Sequence, residues 1–288
     1  MYFLKTVLLK MFYGGRLLDR RVSTHVFLGE IKDVFVTAAD GAKTVSHIFT
    51  PEKCVNRSDV IILLKGRDGT TESWKIFGGE TADKLKTTVC LVGCRGYCLD
   101  TSVIPSKKGI LMDVKSSVKE IKKLFPGKVF LFGQSIGCAV ALEIIQQESF
   151  DGVVLEDPFI SLSECLLEHG KGFLKIPMRI IGETWDNVKE IKKGLKKNKD
   201  IPFLVISALE DIVVPHRHRM ELMKVFTKNG YTRVRRHETE GANHLESYRK
   251  IEYWGALTAF LLENSLMLKL QDPKIILSPI QWESNYKL

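Results

Sequence analysis

Val129-Phe130-Leu131-Phe132-Gly133-Gln134-Ser135-Ile136-Gly137-Cys138-Ala139-Val140-Ala141-Leu142 is the stretch from which the rest of the chain is read. Its first four residues are aromatic or aliphatic, the composition of a buried strand. From Cys138 to Gln147 apolar residues recur at three- and four-residue spacing, the period of a helix. Gly133-Gln134-Ser135-Ile136-Gly137 joins the two. A serine on so sharp a turn needs positions two before and two after it nearly free of side chain, so that strand and helix can approach. Its hydroxyl then stands at a helix N-terminus, where unpaired N–H groups and the helix dipole favour developing negative charge. Strand, G-x-S-x-G and helix in that order predict a nucleophile elbow with Ser135 at its tip. Without those flanks the same five residues would be an ordinary turn.

A serine nucleophile needs a base and an orienting acid further along the chain. Phe203-Leu204-Val205-Ile206 reads as a buried strand, and Leu209-Glu210-Asp211 follows it. Glu240-Gly241-Ala242-Asn243-His244 places a histidine in a glycine-containing loop before the last helix. The expected triad is therefore Ser135, Asp211 and His244. Glu210, next to Asp211, and Asp157, just past the strand Val153-Val154-Leu155, are the alternative acids. His237 competes with His244 but falls within a strand pattern. Two backbone donors must face the oxyanion. The expected pair is the N–H of Ile136 and the N–H of Arg67, in the loop after the strand Val60-Ile61-Ile62-Leu63-Leu64.

Other elements surround these. Asp33 to Thr37 and Thr44 to Phe49 flank Asp40-Gly41, a hairpin signal. Thr88 to Val92 is a further buried strand, and Arg233 to His237 the last one. Helices are expected at Ser106 to Leu124, His218 to Phe226 and Tyr248 to Leu262, with a weaker one broken by Gly78-Gly79. Strands alternating with helices predict an α/β protein with a mostly parallel, doubly wound sheet and its site at the strands' C-terminal ends.

The 288 residues suit one domain, with 44% apolar and 27% charged residues. The expected division is an N-terminal apolar and basic segment at 1–24, a body at 25–265 with a lid at about 159–199, and a tail at 266–288. Six cysteines are too scattered for a disulfide scaffold. Cys90, Cys94 and Cys98 recur at four-residue spacing, but Cys90 falls in a strand pattern and no fourth ligand is near, so no metal is expected. The net charge of +9 is concentrated in Lys107 to Lys128 and Lys189 to Lys199. No aromatic residues are interleaved there, which points to solvated helix faces first, an anionic membrane surface second, and not to nucleic acid. Thirteen helical residues from Met1 to Tyr13 span about 20 Å, too short for a hydrocarbon core of roughly 30 Å. Phe3, Leu4, Val7, Leu8, Met11 and Phe12 share one face, flanked by Lys5 and Lys10. A membrane-surface helix and a helix packed on the body are both open readings. The lid segment Phe159 to Lys199 is rich in large apolar residues, which suits core packing or an acyl groove.

Arg95-Gly96-Tyr97, Pro105-Ser106 with Gly109 and Asp113, the elbow, Ser207 to Pro215 and Gly241 to His244 together resemble the bud-emergence-type α/β-hydrolases over roughly residues 30 to 265. That group includes membrane-anchored hydrolases and protein acyl-thioesterases. The resemblance implies an α/β-hydrolase fold and a serine hydrolase. Such an enzyme cleaves carboxylic esters or acyl thioesters through an acyl-enzyme, with a lipidated protein among the candidate substrates and no cofactor. It also implies membrane association with the catalytic domain on the cytoplasmic side, a cytoplasmic location being the alternative. A serine peptidase and a catalytically inactive binding protein of the same fold are the competing readings. Two departures from the family pattern stand out. Lys65-Gly66-Arg67 replaces the usual His-Gly-Asn, bringing two cations to the oxyanion loop. Cys98 stands where the family has a glycine after Arg-Gly-Tyr.

Overall fold

A computed structural model describes residues 2–14, 24–194 and 200–264. The tail at 266–288, the end of the basic run at 195–199 and the segment 15–23 lie outside the described residues. Eight strands form one sheet: β1 (Glu30–Thr37), β2 (Lys43–Thr50), β3 (Val60–Leu64), β4 (Thr88–Leu91), β5 (Val129–Gln134), β6 (Gly152–Glu156), β7 (Phe203–Ala208) and β8 (Val234–Thr239). They lie in the order β1-β2-β4-β3-β5-β6-β7-β8. β1 pairs antiparallel with β2, and β2 antiparallel with β4; every later pairing is parallel. The Asp40-Gly41 turn joins β1 and β2, with Gly41 at a φ of 86°.

The unbroken apolar runs of the central strands reflect burial on both sides. Val60, Ile62 and Leu64 of β3 face one core cluster, and Ile61 and Leu63 face the other. The first cluster is covered by α3 (Lys107–Leu124) and α4 (Ile136–Ile144), the second by α2 (Lys75–Leu85) and α9 (Ile251–Glu263). The glycines of α2 are where the sheet and the chain before it press closest. A Cβ on Gly78 would lie 2.7 Å from the Phe49 ring, and one on Gly79 2.8 Å from Phe27 Cβ. Sequence spacing marked these glycines as a weakness; they are contact points.

Between β6 and β7 run α5 (Leu162–Glu168), a 3-10 turn (Gly172–Leu174), α6 (Lys175–Ile180) and α7 (Asn187–Lys193). An antiparallel bridge between Ser161 and Asp186 closes the base of this excursion. α7 packs on α4 and on α8 (Arg217–Lys228). The part enclosed by that bridge is 162–185, and α7 lies outside it. His218 pins it from α8. Its Nδ1 accepts the Ile160 N–H at 3.0 Å, leaving Nε2–H to donate to Glu168 at 2.6 Å.

The N-terminal helix α1 (Tyr2–Tyr13) lies on the body. Leu8, Leu9 and Tyr13 are buried, while Phe3, Leu4 and Met11 stay exposed. The buried face therefore cuts across the one drawn on a helical wheel. The Tyr13 hydroxyl donates to Glu183 Oε2 at 2.8 Å and accepts the Trp185 indole N–H at 3.2 Å. Glu183 also accepts the Lys107 N–H at 3.0 Å, which ties α1 and the lid to the start of α3. Among the described residues no helix is long and apolar enough to cross a membrane.

Candidate active site

Ser135 sits between β5 and α4 with φ 53° and ψ −115°, a conformation that L-residues rarely adopt. The flanking glycines explain how the turn is possible. A Cβ on Gly133 would lie 2.5 Å from the Gly137 carbonyl oxygen, and one on Gly137 2.1 Å from that of Leu64. Any other residue at either position would push strand and helix apart. The Ser135 N–H donates to the Glu156 carbonyl at 2.9 Å, fixing the turn to β6. Ile136 is the first residue of α4, so its N–H has no intrahelical acceptor.

Asp211 follows β7, and its carboxylate is held from two sides. Oδ1 accepts the N–H groups of Val213 and Val214, both at 2.7 Å. Oδ2 lies 2.6 Å from His244 Nδ1. The His244 loop is shaped by Asn243, whose Oδ1 accepts the N–H groups of His244 at 2.7 Å and Ile212 at 3.2 Å. Glu210 points elsewhere: its Oε2 accepts the Ala242 N–H at 2.8 Å, so it braces the histidine loop from outside. His237 is paired in β8 opposite Ile206 and belongs to the sheet.

Asp157 is a second carboxylate at the same imidazole. Its Oδ2 lies 3.7 Å from His244 Nδ1. Oδ1 accepts the Ala208 N–H at 2.9 Å and Oδ2 the Leu245 N–H at 2.8 Å. It thereby ties the end of β7, which leads to Asp211, to the loop that carries His244. Sequence order suggested Asp157 as a lesser rival for the acid; the structure gives it this bracing position, which spacing alone does not reveal. Among the described residues the non-glycine positions with positive φ are Lys86, Ser135, Asp157 and Leu245. Three of the four gather here, so backbone strain is concentrated at this end of the sheet.

Burial of Asp157, the largest influence on it, raises its carboxyl to about 6; His244 opposes the rise and Asp211 adds to it. For His244, burial pulls the imidazole down. The hydrogen bond to Asp211 and the charges of Asp157, Asp211 and Glu156 outweigh it and leave the ring more basic than usual. Asp157, Asp211 and His244 also converge closely enough to hold a cation, but the imidazole Nδ1 is already occupied by Asp211. Cys90 is buried in β4, and burial raises the thiols of Cys90, Cys94 and Cys98 alike.

Ser135, Ile136, His244, Arg67 and Asp68 line one cavity of about 400 Å³. Leu8, Met11 and Phe12 of α1, Phe159, and Leu162, Leu166, Leu174 and Met178 of the lid form its apolar walls. That α1 supplies part of the wall was not legible in its own periodicity. The two cations of the loop after β3 are both engaged. Lys65 Nζ donates to the carbonyls of Gly66 at 2.8 Å and Asp68 at 3.3 Å and stands 3.9 Å from the centre of the Tyr97 ring. Arg67 Nε donates to Asp68 Oδ1 at 2.9 Å. Trp74 Nε1–H closes the loop on the Asp68 carbonyl at 2.9 Å. Cys98 does not adopt a positive φ; Gly96 does, at 76°. Arg95 bridges Asp113, buried on α3, and Asp40 of the hairpin, with shortest contacts of 2.6 Å to each.

With the sheet order, the elbow and the Asp211–His244 pair in place, the fold can be compared with known ones. An esterase of Pyrococcus furiosus superposes with a TM-score of 0.66 at 18% identity, over 85% of this chain and 95% of that one. The chain has the α/β-hydrolase fold. An alpha-beta hydrolase of Vibrio vulnificus agrees, with a TM-score of 0.64 at 17% identity over 91% of this chain and 92% of that one. In sequence the chain is similar to protein bem46 of Schizosaccharomyces pombe, 25% identical over 190 residues, which is 63% of this chain and 60% of that protein. An uncharacterized membrane protein of Saccharomyces cerevisiae is 26% identical over 187 residues, 62% of each chain. The α/β-hydrolase chain thus resembles the bud-emergence type, and it spans about 60% of the length of these two relatives. No family model matches it.

Proposed function

We propose that the protein is a serine hydrolase that cleaves carboxylic esters or acyl thioesters, a lipidated protein being one such substrate. The observation that carries this reading is a serine on a strained elbow sharing an apolar cavity with a histidine whose Nδ1 lies 2.6 Å from a buried carboxylate. In this reading Ser135 Oγ attacks the acyl carbon while His244 Nε2 takes its proton. Asp211 holds the Nδ1–H tautomer and offsets the charge that forms on the ring. The N–H groups of Ile136 and Arg67 receive the oxyanion. Collapse of the tetrahedral adduct returns the proton from His244 to the leaving alkoxide or thiolate. Water then repeats the sequence and frees the acid and Ser135. No step requires a cofactor.

The apolar walls favour an acyl chain over a peptide, which would bring polar backbone groups into a site with few partners for them. The Lys65 and Arg67 contacts favour activity over an inert scaffold, because both cations are taken up within or beside their own loop. Esterase neighbours of the same fold support the reading. Labelling with a fluorophosphonate probe tests it. The wild-type protein is expected to label and to hydrolyse a panel of acyl esters and thioesters, and Ser135→Ala is expected to do neither while remaining folded. Labelling that persists in Ser135→Ala would remove the assignment.

A further inference from the structure

The lid carries apolar side chains on two opposite faces. Leu174 and Met178, four residues apart, point inward and line the cavity. Phe173, Ile176 and Ile180 follow at spacings of three and four and are 71, 72 and 69% exposed. Across the 3-10 turn and the α6 that continues it, that spacing puts them in one outer stripe. Exposed apolar residues scattered singly need no explanation, but an aligned stripe of three large ones does. Beside the lid, α1 leaves Phe3 and Leu4 exposed, and its Met11 is an exposed part of the cavity wall. Ile212, also exposed, lines the cavity from the opposite loop. The exposed apolar side chains thus sit on the same two elements, α1 and the lid, whose other side chains wall the cavity, and Met11 and Ile212 carry that surface to its rim.

The charges of the lid differ in how they are engaged. Lys171, Lys175 and Arg179 interleave with the stripe and form no ion pair with another described residue. The carboxylates of this part of the lid are engaged: Glu164 and Glu168 with Arg217, and Glu183 with Tyr13 and the Lys107 N–H. Lys5 and Lys10 add exposed cations on α1.

We propose that the Phe173–Ile176–Ile180 stripe, with the exposed face of α1, docks on an anionic lipid surface and sets the cavity entrance against it. Apolar side chains enter the acyl boundary while the cations meet the headgroups. Docking itself does not depend on the hydrolase reading. Where that reading holds, the substrate is an ester or thioester borne at the lipid surface. Its acyl chain passes from the bilayer into the cavity without crossing water.

Vesicle flotation tests this with the full chain. Phosphatidylcholine vesicles containing phosphatidylserine are expected to carry the protein, and pure phosphatidylcholine vesicles to carry much less. Ile176→Glu/Ile180→Glu changes two exposed positions outside the cavity. It is expected to weaken binding at least about tenfold, given the apolar area withdrawn from water by two isoleucines. Lys175→Gln/Arg179→Gln is expected to weaken it about fivefold per charge at low salt, a difference that shrinks as salt is added. A thermal melt and turnover of a short soluble ester are expected to match wild type for every variant. A loss of ester turnover in wild type as well would strike the hydrolase reading alone. The docking proposal falls if wild type ignores anionic vesicles, or if the double glutamate variant binds them as wild type does. It also falls if the stripe proves to be buried between two copies of the chain, seen as a dimer that the glutamates dissociate.

Discussion

The floor and the roof of the cavity are built by different physics. The floor is the C-terminal edge of the sheet, where Ser135, Asp157, Asp211 and His244 are fixed by backbone N–H groups and by neighbouring carboxylates. The roof is α1 and the lid, which rest on the body through apolar side chains and a few buried polar contacts around Tyr13, Glu183 and Trp185. Directional hydrogen bonds hold atoms to a fraction of an ångström, as proton transfer requires. Apolar packing is less directional and tolerates a change of shape more readily. In the proposed reading the reacting groups belong to the first kind of region and the substrate's contacts largely to the second.

Changes in the floor are expected to stop chemistry without loosening the fold. After removal of the nucleophile itself, the largest effect is expected from Asp211→Asn, which turns an acceptor of the imidazole N–H into a group that favours the wrong tautomer. A fall in kcat of about 10⁴ is expected from the behaviour of well-studied triads. Glu210→Gln keeps an acceptor for the Ala242 N–H and is expected to stay near wild type. Steady-state kinetics of the pair checks this, and a collapse in Glu210→Gln instead would reassign the acid.

Asp157→Asn is expected to have an intermediate effect with a distinctive signature. The base must be neutral to accept the serine proton, so kcat/KM falls as pH drops through the pKa of His244. That pKa is raised partly by the charge of Asp157. Removing the charge makes the imidazole easier to deprotonate, and the acidic limb of the pH profile should move to lower pH. The amide also cannot accept both the Ala208 and the Leu245 N–H groups, so kcat should fall, though less than in Asp211→Asn. An unmoved limb with reduced activity would make Asp157 a structural brace only.

The smallest effect on chemistry is expected in the roof. Tyr13→Phe removes a hydroxyl that serves both Glu183 and Trp185. Leaving those groups underserved should cost about 1–3 kcal/mol, read as a lower Tm. Turnover of a short-chain ester should hardly change. A large loss of activity on the short ester would break the distinction, because the roof would then be holding the reacting groups.

The readings that rested on local pattern match the structure closely. Alternating and continuous apolar runs located all eight strands, because a strand's burial is written in its own five or six residues. The Asp40-Gly41 hairpin and the elbow were legible for the same reason, since a positive φ or a close backbone approach demands glycine at set positions. Boundaries moved where tertiary contacts extended an element, as at β1 and β2, or converted its first turn, as at Ser247–Arg249 before α9.

The sequence by itself determined the sheet, the elbow with Ser135 at its tip, and a short set of polar residues at the strand ends. It favoured Asp211 as the partner of His244 and kept Glu210 and Asp157 as alternatives, because their order along the chain is compatible with each. Tertiary structure gives each of the three its own contact. Asp211 lies 33 residues from His244 in sequence and 2.6 Å from it in space, and Glu210, one residue earlier, faces away because successive side chains diverge. The face of α1 that meets the body was decided in the same way. A helix that is apolar on most sides carries no preference of its own, and the buried Tyr13–Glu183 hydrogen bond fixes which side turns inward.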